Sequence, residues 1–297
     1  IFIYSKKQFM SAIIDDLNKL LLNSDHEKSS YWQHYIDEVK LNFYDIHAVS
    51  LFGTFSKKNF LKNFLHRFFQ YLIHGNKFLR TCEYQIYKNL CDKENRNLDQ
   101  NVVRHILTLN LLNKMKLLHG NICIIGDGKA NFVGGLIEMD KKIKIYSINL
   151  PEILINDYLI IKNNNILNDD LITVVKSNSD LERNDKRLFL INASDKNFLM
   201  NKNINLFVNI ASMQEMKHET INEYFNIISN NKSFFYCCNR EKKILPDGQE
   251  VSFRDYNWGD GKIILEENCP WHQRYYDFFP PFIKKYDGNV MHRILKY

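Results

Sequence analysis

From Gly120 onward the chain alternates between short β-rich runs and helical stretches, and this alternation restricts the fold more than any other feature. The runs "ICII" (122–125), "KIYSI" (144–148), "RLFLI" (187–191), "NLFVNI" (205–210) and "SFFYCC" (233–238) are interleaved with helical periodicity at 130–139, 151–162 and 216–229. Strands that alternate with helices make a parallel sheet covered on both faces. Two further runs, "KIILE" (262–266) and "VMHRILKY" (290–297), have no helix of ordinary length between them and suit an antiparallel pair at the sheet edge. The expectation is an α/β fold with a doubly wound, mainly parallel sheet of seven strands.

Upstream of Gly120 the pattern is helical. Met10, Ile13, Leu17, Leu20 and Leu21 recur at helical spacing, as do Trp32, Tyr35, Ile36 and Val39. In "FLKNFLHRFFQYLI" the residues Phe60, Phe64, Phe68 and Leu72 make an apolar stripe that helix packing should bury. A further helix is expected over 98–118, starting at Leu98-Asp99. Residues 1–118 are expected to form an all-helical cap or homo-oligomerisation region, and 119–297 the sheet domain.

The 297 residues are 45% apolar and 13% aromatic, enough for a real core. A net charge of +6 without a dense basic block gives no reason to expect nucleic acid, and suits a phosphorylated or acidic small partner. Six scattered cysteines with no C-x-x-C pair suggest neither a disulfide framework nor a metal site. No apolar run is long enough to form a transmembrane segment. The start, "IFIYSKKQFMSAII", is broken by Lys6 and Lys7 and lacks a small-residue cleavage site, so a cytoplasmic location is expected. The first residue is Ile rather than Met, so trimmed residues are expected upstream.

The sharpest local signal is "ICIIGDGKANFVGG" (122–135), a strand, a glycine turn and a helix. Gly126 and Gly128 allow a tight turn and close backbone approach to a ligand, and the following helix N-terminus offers free N–H groups. A dinucleotide fingerprint needs a third glycine where Asn131 stands, and a P-loop needs Ser or Thr where Ala130 stands. The G-x-G-x-G turn of S-adenosylmethionine sites is nearer, with Ala130 in place of its third glycine. Gly126, Asp127 and Gly128 are thus candidate cofactor contacts, against the alternative of a bare turn.

Other candidates follow the later strands. Asn149 stands at the end of the second strand, where a cofactor ribose is commonly held, or else caps the next helix. Leu150 is placed to pack on an adenine. Asp195, after the third strand, is placed to reach the adenine amino group or to cap a short helix. The fourth strand ends in the polar residue Asn209, and Ser212, Gln214, Glu215 and His218 follow. Such a cluster marks the reactive end of a parallel sheet, while Ser212 and Glu215 also have capping-box spacing.

Taken together, "LPEIL" (150–154), "NIASMQEM" (209–216), "YFNII…FFYCCNR" and "NCPWH" (268–272) resemble the sugar O-methyltransferase family associated with bacterial surface-glycan synthesis. The resemblance covers residues 120–297 and extends more loosely through "YWQHYIDEV". It implies the Rossmann-like class I methyltransferase fold and S-adenosylmethionine as cofactor. It also implies transfer of a methyl group to a sugar hydroxyl of a glycan or its nucleotide-linked precursor. The family typically has an acidic residue where Asn149 stands and a more glycine-rich first turn. Two other readings stand beside this one: a non-catalytic protein of the same fold that partners glycan assembly, and an RNA methyltransferase, which the mild charge disfavours.

A sugar hydroxyl is a weak nucleophile, so methyl transfer to it calls for a base or a metal ion. Glu215, His218 and His272 are the candidate bases, and no spacing commits the chain to a metal. Ser212 and Gln214, with Arg240, Trp258, Trp271 and Arg274 from the last third of the chain, are candidate substrate contacts. Aromatic rings pack on sugar C–H faces, and guanidinium groups hold phosphates or carboxylates. Each of these side chains has an ordinary packing or surface role as its alternative.

Overall fold

The structure, a computed structural model, describes residues 12–21, 28–38 and 57–297, with backbone alone at 35–38. Met10, Val39 and most of the opening segment lie outside these residues, as do the side chains of Tyr35 and Ile36.

Among the described residues five α-helices come first: α1 (Ala12–Leu21), α2 (Ser30–Glu38), α3 (Phe60–His74), α4 (Cys82–Lys93) and α5 (Gln100–Lys114). Three start on a side chain that takes an otherwise orphaned backbone N–H. Asn59 accepts from Lys62, Thr81 from Tyr84 and Asp99 from Val102, so α5 begins where the sequence suggests.

The alternating half follows as β1 (Asn121–Ile125), α6 (Asn131–Met139), β2 (Lys144–Asn149), α7 (Pro151–Asn163), β3 (Ile172–Val174), β4 (Leu188–Asn192), β5 (Leu206–Ile210), α8 (His218–Asn230) and β6 (Phe234–Arg240). Then come β7 (Lys242–Ile244), β8 (Glu250–Ser252), β9 (Lys262–Asn268), β10 (Arg274–Tyr276), β11 (Ile283–Lys285) and β12 (Val290–Lys296). The main sheet runs β3-β4-β2-β1-β5-β6-β12-β9, while β7-β8 and β10-β11 are separate hairpins. Pairing is parallel from β3 through β6, and β12 is antiparallel to both β6 and β9. The doubly wound sheet with an antiparallel closing pair is therefore present, but among the described residues it has eight strands, not seven. The additional edge strand, β3, is "ITV", three residues whose length carries no readable period.

Alternate residues of each central strand serve opposite cores. Ile122 and Ile124 of β1 join one cluster with α4, α5, α6 and α7, while Cys123 and Ile125 join another with α8. The helical region and the sheet thus share one continuous core. Gly135 lets α6 approach α4 closely: a Cβ there would run into the Tyr87 side chain. The stripe on α3 is not buried. Phe60 is 89% exposed, and Phe64, Phe68 and Leu72 are also exposed, while Phe69, one position round, packs inward. No helix among the described residues is long and apolar enough to cross a membrane.

Candidate active site

Chain leaving β1 turns to β2 on one side, and β5 lies on the other, so the sheet's switch point falls between β1 and β5. Ligands of open α/β sheets bind beyond the strand ends at such a point. A cavity of about 270 Å³ opens there. Its floor is Gly126, Asp127 and Gly128 after β1, Asn149 and Leu150 after β2, and Ala193 after β4. Ser212, Gln214 and Glu215 after β5 form one wall, and Arg104 and His105 of α5 with His272 form another. Residues 28–32 make the roof. Lys28 is ion-paired to Glu152 of α7 at 2.6 Å, and the Ser29 hydroxyl donates to the Glu215 carbonyl at 2.5 Å, so this segment straps both sides of the switch point together.

Two carboxyl groups shape the glycine turn from inside. The Val133 N–H donates to Asp127 Oδ2, and the Ala130 N–H donates to Asp157 Oδ1, both at 2.7 Å. Asp127 Oδ1 is buried without a partner. Burial pushes the Asp127 carboxyl up to about 7 despite the helix N–H groups that favour its charge, and burial, then the neighbouring Asp127, holds the Asp157 carboxyl well above its ordinary value. Gly126 has φ 72°, and Lys129 and Ala130 also lie in the left-handed region, at φ 64° and 49°. Asn149 is committed to the backbone: its Nδ2 donates to the Asp127 carbonyl at 2.9 Å and its Oδ1 accepts from the Leu150 N–H at 3.1 Å.

The end of β5 is a closed polar network. Asn209 Nδ2 donates to the Ile125 carbonyl at 2.9 Å, and its Oδ1 accepts from Asn239 Nδ2 at 2.8 Å. Gln214 Oε1 accepts the Arg240 N–H at 2.7 Å. Glu215 is buried and paired with Lys243 at 2.7 Å. Burial raises its carboxyl, and Lys243 only partly offsets this. His272 is held neutral, well below its ordinary value, by burial and then by the Arg104 charge. Burial lowers Arg104 itself to about 10, which still leaves it a cation at neutral pH. Its Nη1 donates to Asn101, whereas its Nε and Nη2 are buried with no hydrogen-bond partner.

The geometry divides the sequence candidates. Gly126, Asp127, Gly128, Asn149, Leu150, Ser212, Gln214, Glu215 and His272 line the cavity. Asp195 does not: it lies in the 3-10 turn Ala193–Leu199, and Ala193 faces the cavity instead. Asn209 is wholly buried in its network. His218 starts α8 outside the cavity, with Nε2 3.1 Å from the Glu250 carbonyl. Trp258 is on the other face of the sheet, donating to the Phe253 carbonyl at 3.0 Å with the Arg293 guanidinium over its ring. Trp271 packs edge-on against His292, and Arg240 and Arg274 are absent from the cavity wall, Arg274 being exposed on β10. Long-loop aromatics carried no signal of which sheet face they cover.

Sequence reasoning missed Lys28, Arg104, His105 and Asp157. One signal existed for α5. Asn101, Arg104, His105 and Thr108 recur at helical spacing and form a polar stripe that the fold turns toward the cavity and core, while Gln100, Asn110, Asn113 and Lys114 add further polar residues to the same helix.

No family model matches the chain, and neither does any curated protein. Among solved structures it is similar to an S-adenosylmethionine-dependent methyltransferase from Clostridium acetobutylicum, at 11% identity over 80% of this chain and 98% of that one, with a TM-score of 0.42. It is also similar to a SAM-dependent methyltransferase from Aquifex aeolicus, at 9% identity over 62% and 87% of the two chains, TM-score 0.40. A third is the magnesium protoporphyrin IX methyltransferase from Synechocystis with bound SAM, at 7% identity over 82% and 100%, TM-score 0.41. The chain's own strand order defines its fold. That order, with β12 inserted antiparallel between β6 and β9, is the Rossmann-like doubly wound sheet in its class I methyltransferase form.

Proposed function

We propose that this chain is an S-adenosylmethionine-dependent O-methyltransferase whose acceptor is a sugar hydroxyl of a glycan or its nucleotide-linked precursor. The observation that carries the reading is the switch-point cavity itself: it opens on the glycine turn, and its lining includes the Asp127 carboxyl and the Arg104 guanidinium, each with a buried polar atom that no other group satisfies. The cofactor has a sulfonium and an ammonium for the first and a carboxylate for the second, and the turn leaves its backbone open to approach. When bound, S-adenosylmethionine supplies a methyl group made electrophilic by its sulfonium.

The chain's residues then have separable tasks. Gly126, Asp127, Gly128, Leu150 and Ala193 hold the cofactor, and Asn149 braces the turn through its bonds to the Asp127 carbonyl and the Leu150 N–H. Glu215 takes the acceptor proton on its carboxylate, kept basic by burial and oriented by Lys243. The strap of residues 28–32 excludes water. It also supplies Tyr31 and Trp32, which line the cavity in the place expected of Trp258 and Trp271 and offer rings for a sugar face. The sugar acceptor rests on the resemblance carried by "NIASMQEM" and "NCPWH", whose Ser212, Gln214, Glu215 and His272 stand in the cavity wall.

Calorimetric titration with S-adenosylmethionine or its demethylated product tests the reading. Binding is expected, and no heat at millimolar ligand leaves a fold without the cofactor. Methyl transfer is then assayed with nucleotide sugars, glycan fragments and RNA side by side; transfer to RNA alone overturns the sugar assignment.

A further inference from the structure

Three soft metal-ligand side chains converge behind the cavity wall. Cys238 is in β6, Cys269 directly follows β9, and His272 stands three residues later. Cys269-Pro270-Trp271-His272 is a tight turn, in which the His272 N–H donates to the Cys269 carbonyl at 3.1 Å. Proline at its second position pre-sets the backbone for such a turn. Gln273 Nε2 clamps it, donating to the carbonyls of Cys269 at 2.9 Å and of Val290 at 2.8 Å. The turn therefore presents Cys269 and His272 together toward Cys238.

The Sγ atoms of Cys238 and Cys269 are each 3.4 Å from His272 Nδ1, and the three atoms lie within 4.8 Å of one another. All three residues are buried. A neutral imidazole nitrogen offers one lone pair or one hydrogen, so Nδ1 cannot serve both thiols fully as a hydrogen-bond partner. A tetrahedral zinc ion, with Zn–S of about 2.3 Å and Zn–N of about 2.0–2.1 Å, sets sulfur and nitrogen about 3.5 Å apart. The observed spacing is that tetrahedral edge. Two thiolates would balance the divalent charge, so the filled site places no excess positive charge beside the buried Arg104 guanidinium. His272 also lines the cavity, which leaves the cluster next to the space an acceptor would occupy.

We infer that Cys238, Cys269 and His272 form a binding site for a zinc-class divalent ion, with two thiolates and one imidazole as ligands and the fourth position left for a water or an acceptor oxygen. Binding releases the two thiol protons to solvent. The inference goes beyond the methyl-transfer reading and stands independently of it.

Elemental analysis of the full chain, purified without chelator from zinc-supplemented medium, is expected to show zinc equimolar with protein. After the zinc is stripped, titrated cobalt(II) should give a thiolate charge-transfer band and the intense visible bands of a tetrahedral site, saturating at one equivalent. Cys269→Ser and His272→Ala should each lower zinc content at least tenfold. Should either variant fail to fold, the cobalt spectrum of the unaltered chain decides alone. Cobalt without a thiolate band overturns the inference. So does zinc content unchanged in folded variants, or a Cys238–Cys269 disulfide in freshly purified, unreduced protein. None of these readouts depends on cofactor binding, so the two proposals fail separately.

Discussion

The Ser212 hydroxyl donates to the carbonyl of Ile125 at 2.9 Å and thereby fastens the loop after β5 to the last residue of β1. That bond fixes the width of the switch point, and it leaves no room on the adjoining glycine. A Cβ on Gly126 would collide with the Ser212 side chain, and φ 72° is unfavourable for any L side chain. Gly126→Ala is therefore expected to destabilise the fold by about 2–4 kcal/mol, combining backbone strain with overpacking. Adding Ser212→Gly should recover part of that loss by removing the collision but not the strain. Denaturant melts of the two variants check this. A single variant as stable as the parent would show that the two strand ends can separate freely.

Ala130 has the opposite problem. It occupies a left-handed conformation, φ 49°, at the position where the S-adenosylmethionine turn has its third glycine. An alanine there is strained by about 1–2 kcal/mol, and glycine's extra freedom in the unfolded chain cancels part of the gain from replacing it. Ala130→Gly should raise stability by about 1 kcal/mol, read as a higher denaturant midpoint at unchanged slope. A lower midpoint would mean that the buried methyl group contributes more by packing than it costs in strain.

These two positions show what the sequence could reveal. The glycine turn and the strand–helix alternation are local patterns, with a period and a spacing, and both are found where they were expected. Asp157 had no such signal. It lies on α7 and reaches the turn only because α7 packs there, a relation set by tertiary folding. Arg104 and His105 belong to a polar stripe of α5, but the helix has other polar residues, so which stripe faces the cavity is set by packing. Cys269 and His272 had a spacing worth reading, C-x-x-H, but their partner Cys238 is brought in by the sheet order rather than by sequence proximity. Trp258 and Trp271 are close in sequence, yet they pack with different cores, one on each face of the sheet.

If the cavity takes the proposed cofactor, Asp127 should make its binding depend on pH. In the free protein, burial raises its carboxyl from 3.8 to about 7. A cationic ligand beside it favours the charged form, so binding expels a proton. Affinity should therefore rise with pH until about 7 and level off above it, with a slope of up to tenfold per unit on the acid side. Asp127→Asn has no proton to release and should show a flatter profile. The same shift acts on stability with a definite sign. The folded value exceeds the unfolded one, so the contribution is complete below 3.8 and lost as pH rises through about 7. The unliganded parent should thus lose stability across that interval relative to Asp127→Asn. Calorimetry at several pH values, in buffers of different ionisation enthalpy, measures the proton release directly. Proton uptake, or none, would assign the cavity's charge recognition to another group.

Arg104 links stability to function in the reverse direction. Its guanidinium is desolvated while Nε and Nη2 find no acceptor, an arrangement that costs stability until an anion arrives. Arg104→Met retains most of the side-chain volume and removes the unpaired donors. The variant should melt a few degrees higher than the parent, since about 1 kcal/mol shifts Tm by roughly 2–4 °C in a chain of this size class. It should bind the demethylated cofactor, whose carboxylate is intact, at least about tenfold more weakly, a loss of about 1.4 kcal/mol. Arg104→Lys should restore charge but not the planar fork, and so recover only part of the affinity. If Arg104→Met binds the cofactor as tightly as the parent but loses turnover with an acidic acceptor, the guanidinium serves the acceptor rather than the cofactor. If it melts lower and binds normally, Arg104 is a packing residue.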